Sequence, residues 1–294
     1  MDKADPPLIP SKFADLHGYG NIVQQTVFPL FLLTPDGGHA LGSAFTISAS
    51  GLLMTAAHVL DGASRILEPN NQNDFGLFAG YASNEGQHNH LRGLWPIDRI
   101  FIQDEIDIAL CRLRSALHKP SGKLMRWKPV VLSPGLPSRW QYIYAFGYRA
   151  MSVPRFERNP DGLMELTCRV CTSASSGHIV EIFEELRDHS FLRYPSFQTN
   201  ARYDHGMSGG PILNQAGMVC GVITSSHKFE SGDAEHVSYR SLIWPAMGIE
   251  LEHRGKSVRL LDLVSIKQIH TDESIRDVIV LSRSETRIEL AIRY

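Results

Sequence analysis

The chain of 294 residues has no run of 18 or more apolar residues, so nothing in it reads as a membrane-spanning helix. It also lacks a cluster of lysine and arginine. Its 29 basic residues face 31 acidic ones, and the formal net charge is −2. A face that tracks phosphates needs such a cluster, so neither nucleic acid nor a membrane is expected as a partner. Cysteine is scarce: Cys111, Cys168, Cys171 and Cys220 are all there is. A chain of this length can bury a core without disulfide staples. Cys168 and Cys171 have the spacing of a redox or metal half-site, but no second pair completes a zinc site, and buried free thiols in a reducing compartment are the expectation. Met1–Pro10 carries acids, prolines and one lysine, without the basic start and apolar middle of a secretory leader. The expected location is the cytoplasm.

Long helical periodicity is scarce as well. What the chain does have is a hydrophobic fraction of 43% and a charged fraction of 20%, ordinary for a globular protein. From residue 21 onward it reads as short β-like runs separated by turn residues. They include Asn21–Leu33, Ala40–Ser48, Leu52–Thr55, Phe75–Tyr81, Leu91–Ile97, Ile106–Leu113, Gln141–Gly147, Leu163–Thr172, Gly177–Phe183, Met218–Thr224 and Val237–Ile243. Ala49-Ser50-Gly51 is a turn signal between two of them. Many short strands at close spacing predict an all-β barrel or sandwich. Residues 1–20 read as a polar arm. Residues 251–294 change character, with helical spacing over Val258–His270 and two strands, Asp277–Leu281 and Arg287–Arg293.

Three segments carry chemistry. In Gly206-Met207-Ser208-Gly209-Gly210-Pro211 a serine sits among glycines. A nucleophilic serine needs an exposed hydroxyl and backbone N–H donors aimed at the oxyanion that forms, and glycine accepts the backbone angles that such a turn demands. The amides of Gly206 and Ser208 are the candidate donors. The bland alternative is a tight turn with a surface serine. At base usage of about 5–7% per residue, this pattern arises in such a chain with a chance below roughly one in a thousand.

The second segment is Thr55-Ala56-Ala57-His58-Val59. Among 13 histidines the residue type alone says little, and the small residues before His58 carry the signal. Imidazole titrates in the range a general base needs. The third is Asp107-Ile108-Ala109-Leu110, where an acid opens an apolar run. It could merely cap a strand. Its catalytic reading is to accept the other imidazole N–H and fix the tautomer. Asp104 competes for that role, and Asp107 is preferred because it abuts the strand directly.

With these segments in order His58, Asp107, Ser208, at intervals 107 − 58 = 49 and 208 − 107 = 101, the chain resembles the trypsin/chymotrypsin-like superfamily of serine proteases. The stretch Gly42-Ser43-Ala44-Phe45-Thr46-Ile47 and the region around Ser208 look most like its bacterial HtrA-type branch, without the PDZ domain usual there. The resemblance spans roughly residues 21–250. It implies an all-β fold of two six-stranded antiparallel barrels, a chymotrypsin-like double barrel, with the triad in the cleft between them. The expected division is an arm at 1–20, barrels at 21–125 and 126–250, and an extension at 251–294. The resemblance also implies a pocket with Arg202 and Tyr203 near its base and wall and Ile223 and Ser226 opposite, on a pocket-lining strand that includes Thr224 and Ser225. Main chain near Ser225 and Ser226 would pair with substrate as an added strand, and the Thr224 hydroxyl stands where the family has a serine bonded to the triad aspartate. No acid lies at the pocket base, which argues against a preference for lysine or arginine. Tyr203 would favour small apolar side chains; Arg202, if it points in, would favour acidic ones. Met207 replaces the aspartate that serves zymogen activation in the family, and Val59 replaces a disulfide cysteine.

The expected activity is a serine endopeptidase that uses no metal or cofactor and acts on a protein or peptide substrate. Its expected setting is conditional, in stress, quality control or defence, with a regulatory partner engaging residues 251–294. The alternative is a catalytically silent binding module of the same fold.

Overall fold

The computed structural model describes residues 11–16, 22–61, 76–83, 90–103, 105–115, 117–118, 122–158, 164–185, 193–227, 237–284 and 288–293. After a short strand, β1 (Lys12–Asp15), and one helical turn, α1 (Ile22–Thr26), six strands close an antiparallel barrel. They are β2 (Val27–Thr34), β3 (Gly37–Thr46), β4 (Leu52–Thr55), β5 (Gly76–Ser83), β6 (His90–Ile102) and β7 (Ala109–Leu113), and the closing order is β2-β3-β4-β7-β6-β5. The strand β2 is buried almost throughout, which suits its near-continuous apolar sequence VFPLFLLT. Pro29 offers no N–H, and it falls where β2 pairs only with β3; pairing to β5 begins at Leu30. The expected turn before β4 forms, with Gly51 at φ +90°. Leu30, Phe31, Phe45, Ile47, Leu53 and Met54 are fully buried on the two faces of these strands. Each contributes about 1.5–3 kcal/mol by leaving water.

A two-residue hairpin, β8 (Leu117–His118) with β9 (Lys123–Leu124), precedes the connection to the second barrel. That barrel comprises β10 (Tyr142–Arg158), β11 (Met164–Phe183), β12 (Ser196–Thr199), β13 (Pro211–Leu213), β14 (Val219–His227) and β15 (Val237–Leu242). Its strands run in the order β11-β10-β13-β14-β15-β12, and pairing of β11 with β12 closes the ring. The fold is therefore the all-β double barrel that the resemblance implied. The two runs expected at Leu163–Thr172 and Gly177–Phe183 are one 20-residue strand, because the small residues between them, Ser173 to Ser176, continue the ladder with β10 instead of breaking it. These same residues accept β1 as an added strand, Lys12↔Ser176 to Asp15↔Ser173. Lys12–Asp15 of the expected arm are thus part of the second sheet.

The barrels meet at β3 and β10. Tyr148, fully buried, donates from its hydroxyl to the Val27 carbonyl at 3.2 Å. The Ser43 hydroxyl accepts from the Tyr148 amide at 2.9 Å and donates to the Gly206 carbonyl at 2.9 Å.

The C-terminal residues pack on this body. A hairpin, β16 (Glu250–His253) with β17 (Lys256–Arg259), leads into α2 (Leu260–Ser265), and β18 (Val278–Arg283) pairs with β19 (Ile288–Ile292). Leu251, Leu260, Leu263 and Ile269 join the core that holds Ile243 and Met247. The Leu132 amide and carbonyl bond to His270 and Asp272, so the connection between the barrels is sewn to the extension.

Cys168 and Cys171 are free thiols on β11, as are Cys111 and Cys220 elsewhere. An odd separation along a strand points side chains to opposite faces, so the first two cannot act as a pair. Burial pushes the Cys168 and Cys220 thiols up to about 12. Among the described residues no group of three or more metal-ligating side chains gathers.

Candidate active site

The strand β4 ends at Thr55, whose hydroxyl donates to the Ser43 carbonyl at 2.7 Å and pins the strand end to β3. Ala56 and Ala57 are buried and small, so the chain can turn at once into a single 3-10 turn, Ala57–Val59. This turn carries His58, with a side chain 42% exposed. Asp107 lies just ahead of β7, held between the buried side chains of Ile106 and Ile108. Its carboxylate meets the His58 ring at Nδ1, 2.8 Å from Oδ2 and 3.1 Å from Oδ1. The His58 backbone amide also donates to Oδ1 at 3.0 Å. One acid thus grips both ring and main chain, which fixes the ring's orientation and leaves Nε2 as the other nitrogen. Partial burial of the ring lowers its pKa, but the bond to Asp107 and the charges of Asp107 and Asp61 outweigh it, and the pKa rises above the ordinary 6.5. Asp104, the competing acid, lies outside the described residues.

Ser208 sits on the loop between β12 and β13, and the glycines around it are required by close contact. Gly209 takes φ +85°, and a Cβ there would stand 2.0 Å from the Ser43 carbonyl and 2.2 Å from the Thr55 hydroxyl. A Cβ on Gly210 would stand 2.0 Å from the Phe146 carbonyl. A Cβ on Gly42 would meet both the Ser208 carbonyl, at 2.8 Å, and the Val59 side chain, at 2.9 Å. That glycine lets the serine loop and the histidine turn share one place on β3. The loop is held further by Ser43 N–H donating to the Ser208 carbonyl at 2.7 Å and Gly209 N–H to Ile223 at 2.7 Å. Met207 is fully buried in the second barrel's core, so this position carries packing.

The Ser208 hydroxyl is half-buried and donates to the Thr224 carbonyl at 3.1 Å. Gly206, at φ +95°, and Ser208 have backbone amides that donate to no group among the described residues. They remain available to an incoming acceptor.

Beside Ser208 opens a cleft of about 640 Å³, lined by residues that include Arg149, Arg202, Tyr203, Ile223, Thr224 and Arg240. Tyr203 and Ile223, expected at the pocket, are among its lining residues. Arg202 lines the cleft as well. Its side chain is 53% exposed, pairs with Asp204 at 2.9 Å and stacks over the Phe13 ring of β1 at 4.8 Å. The Thr224 hydroxyl donates to the Tyr239 carbonyl at 3.0 Å, in place of the expected bond to the aspartate. A register shift between Ile223 and Ser226 takes Thr224 and Ser225 out of the ladder with β15, and the hydroxyl serves the carbonyl opposite. Ser225 and Ser226 continue the backbone of β14.

Three contributors were given no role by the sequence. Ser43 ties the first barrel to the serine loop. Tyr194, half-buried, has its phenol pushed up to about 12 by burial and by the Asp107 charge. Arg240 is fully buried, and its guanidinium carbon stands 3.6 Å from the centre of the Tyr203 ring. An arginine inside an ordinary strand pattern, VSYRSL, sends no signal of this kind; an arginine at an inward strand position is the one cue it offers.

Comparison with known proteins supplies the family. The model of the trypsin-like peptidase domain matches residues 42–222. None of the curated proteins is a match. Solved structures similar to this chain include the HtrA-type protease AlgW with decapeptide, at 17% identity and TM-score 0.45 over 74% of this chain, and the active form of the Rv3671c protease from M. tuberculosis, at 15% identity and TM-score 0.46 over 82%. The chain spans 61% of the AlgW chain and 88% of the Rv3671c chain. The family match covers well over half of the residues and contains His58, Asp107 and Ser208: the chain belongs to the trypsin-like peptidases.

Proposed function

We propose that the protein is a serine endopeptidase in which Ser208, His58 and Asp107 hydrolyse peptide bonds by acyl transfer. The observation that carries this reading is the His58–Asp107 contact at 2.8 Å on one barrel, set through Gly42 against the Ser208 loop of the other. Ser208 Oγ attacks the peptide carbonyl carbon, a C–O bond forms, and the hydroxyl proton passes to His58 Nε2. Asp107 holds the resulting imidazolium. The carbonyl oxygen becomes an oxyanion received by the Gly206 and Ser208 amides, each worth roughly 3–4 kcal/mol to the transition state. The proton then moves to the leaving nitrogen as the C–N bond breaks, and water repeats the sequence in reverse to release the acyl group.

A second feature supports conditional activity. In the structure the Ser208 hydroxyl lies 3.1 Å from the Thr224 carbonyl and must turn from it before His58 can take its proton. This fits an intracellular enzyme that waits for its substrate or a trigger, in stress, quality control or defence. The test uses wild type and Ser208→Ala with unfolded casein and with a fluorophosphonate that labels activated serines. Wild type is expected to cleave and label, and the alanine variant to lose turnover by up to about 10⁶. Equal cleavage by both would place the activity elsewhere. Labelling without casein cleavage would mark a competent site that awaits its own substrate.

A further inference from the structure

The strand β1 reaches the cleft from far outside the serine loop in sequence. Its residues alternate, with Phe13 and Asp15 half-buried and Lys12 and Ala14 exposed. Asp15 is held through both carboxylate oxygens. Arg149 of β10 donates from Nε to Oδ1 at 2.7 Å and from Nη2 to Oδ2, and the Ser173 hydroxyl of β11 donates to Oδ1 at 2.8 Å. Phe13 stands beside two guanidiniums that line the cleft, Arg202 at 4.8 Å and Arg149 at 5.8 Å from the ring centre. Arg202 in turn donates to both Asp204 oxygens, at 2.9 Å and 3.1 Å. Two arginine–carboxylate forks thus share one aromatic ring.

Both forks lead to Gly206. Asp204 opens the turn that contains it: the Met207 N–H donates to the Asp204 carbonyl at 3.1 Å, and Gly206, third of the four residues, takes φ +95°. Four-residue turns with this closing bond occur with the central peptide facing either way, and a positive φ at the third residue belongs to one of the two. Here the central peptide joins His205 to Gly206 and carries the Gly206 N–H. From the other side Gly206 rests on β10. A Cβ there would stand 2.7 Å from the Tyr148 carbonyl and 3.6 Å from the Arg149 Cα. The register of β10 with β11 shifts just after Arg149, and Ala150 takes φ +48°. Regular pairing therefore stops beneath Gly206, and the grip of Asp15 on Arg149 steadies β10 at that point.

We propose that Phe13 and Asp15 are positioning residues for the oxyanion site: β1 holds Arg202 and Arg149, and through them sets the turn that aims the Gly206 amide. This rests on the peptidase reading above and assigns part of its control to the N-terminal strand. The strand adds only four paired residues, Lys12↔Ser176 to Asp15↔Ser173, at the edge of its sheet. A short edge strand opens more readily than a central one. The aim of the amide therefore depends on whether β1 is seated.

The test is the rate at which the fluorophosphonate labels Ser208 across pH, in the full chain and below the unfolding transition of each variant. The phosphoryl oxygen needs the same amides as a peptide carbonyl, whereas the pH midpoint reports His58 with Asp107. Phe13→Ala is expected to lower the plateau rate on the order of 30-fold and to leave the midpoint in place, because a misplaced oxyanion donor weakens only the transition state. Phe13→Trp keeps a ring face for both guanidiniums and should label within about threefold of wild type. Phe13→Leu keeps volume without that face and should fall close to Phe13→Ala. A merely structural role would lower Tm and leave the plateau of the folded protein unchanged. A wild-type plateau in Phe13→Leu therefore overturns the proposal, and so does a moved midpoint, which would place the disturbance at His58. If Phe13→Ala fails to fold, the comparison of Phe13→Leu with Phe13→Trp decides. Absence of labelling in wild type at every pH overturns the peptidase reading as well.

Discussion

The two barrels have the same strand count and differ in how much polar side chain they bury beside their apolar clusters. The first is filled with leucine, phenylalanine, isoleucine and methionine, and its buried polar groups, Ser43, Thr46, Ser48 and Thr55, cluster at the ends of β3 and β4. The second buries Thr172, Ser173, Ser175, Ser176, His178, Ser196, Thr199, Ser238, Arg240 and Ser241. An apolar interior is rigid and indifferent to what binds outside it. Buried polar groups specify directions and charge. The division matches the roles proposed here: the first barrel holds a base and its orienting acid at fixed positions, and the second holds the nucleophile and its oxyanion donors.

Substitutions in the two interiors should separate these roles. The largest effect on stability is expected from Phe45→Ala in the first barrel, where a fully buried ring is lost. It should cost about 3–5 kcal/mol in denaturant unfolding, with a correspondingly large fall in Tm. A loss under 1 kcal/mol would mean that the first barrel is not the rigid partner.

Ser43→Ala comes next, because it cuts the link between barrels. It removes the bonds to the Gly206 carbonyl and the Tyr148 amide, for about 1–3 kcal/mol. It should also slow fluorophosphonate labelling, since Gly206 carries one of the two proposed oxyanion donors. Unchanged labelling in a destabilised variant would make Ser43 purely structural.

Asp15→Asn is the smallest, at about 1 kcal/mol near neutral pH, and it tests the second barrel's dependence on its added strand. The Arg149 guanidinium donates to the Asp15 carboxylate and holds it well below the usual carboxylate range, against an opposing push from burial. A carboxylate depressed on folding stabilises fully above its unfolded value near 4 and loses that contribution as pH falls through the folded value. The gap between wild type and Asp15→Asn should therefore be constant from pH 8 to 5 and shrink below 4. A gap that widens in acid would contradict the pairing.

The same contrast explains what could be read from residues alone. The first barrel was legible, since apolar runs bounded by turns give strands directly, and Leu52–Thr55 emerges at its observed bounds. His58, Asp107 and Ser208 were legible through short local contexts. Much of the second barrel was not. The strands β12 and β13 are four and three residues long, too short for a period to show. The break expected within β11 rested on small residues, whose role is to admit β1 beside them. Arg202 and Tyr203 were placed at the cleft by their distance in the chain from Ser208, whereas Arg149 and Arg240, which line it too, come from β10 and β15 and are near only in space. Asp15 lay in a segment read as a polar arm, because its partner Arg149 is 134 residues away.

The central claim is that side chains from both barrels form one proton relay. The most direct measurement is the pH dependence of fluorophosphonate labelling at Ser208 in wild type and in Asp107→Asn. His58 must be neutral to accept the proton, and its pKa lies above 6.5 because Asp107 stabilises the charged ring. The wild-type rate should climb with pH through a midpoint above 6.5. Asp107→Asn should label about 10⁴-fold more slowly at neutral pH, with any residual midpoint moved down. A wild-type rate that is flat from pH 5 to 9, or an Asp107→Asn rate equal to wild type, would contradict the account.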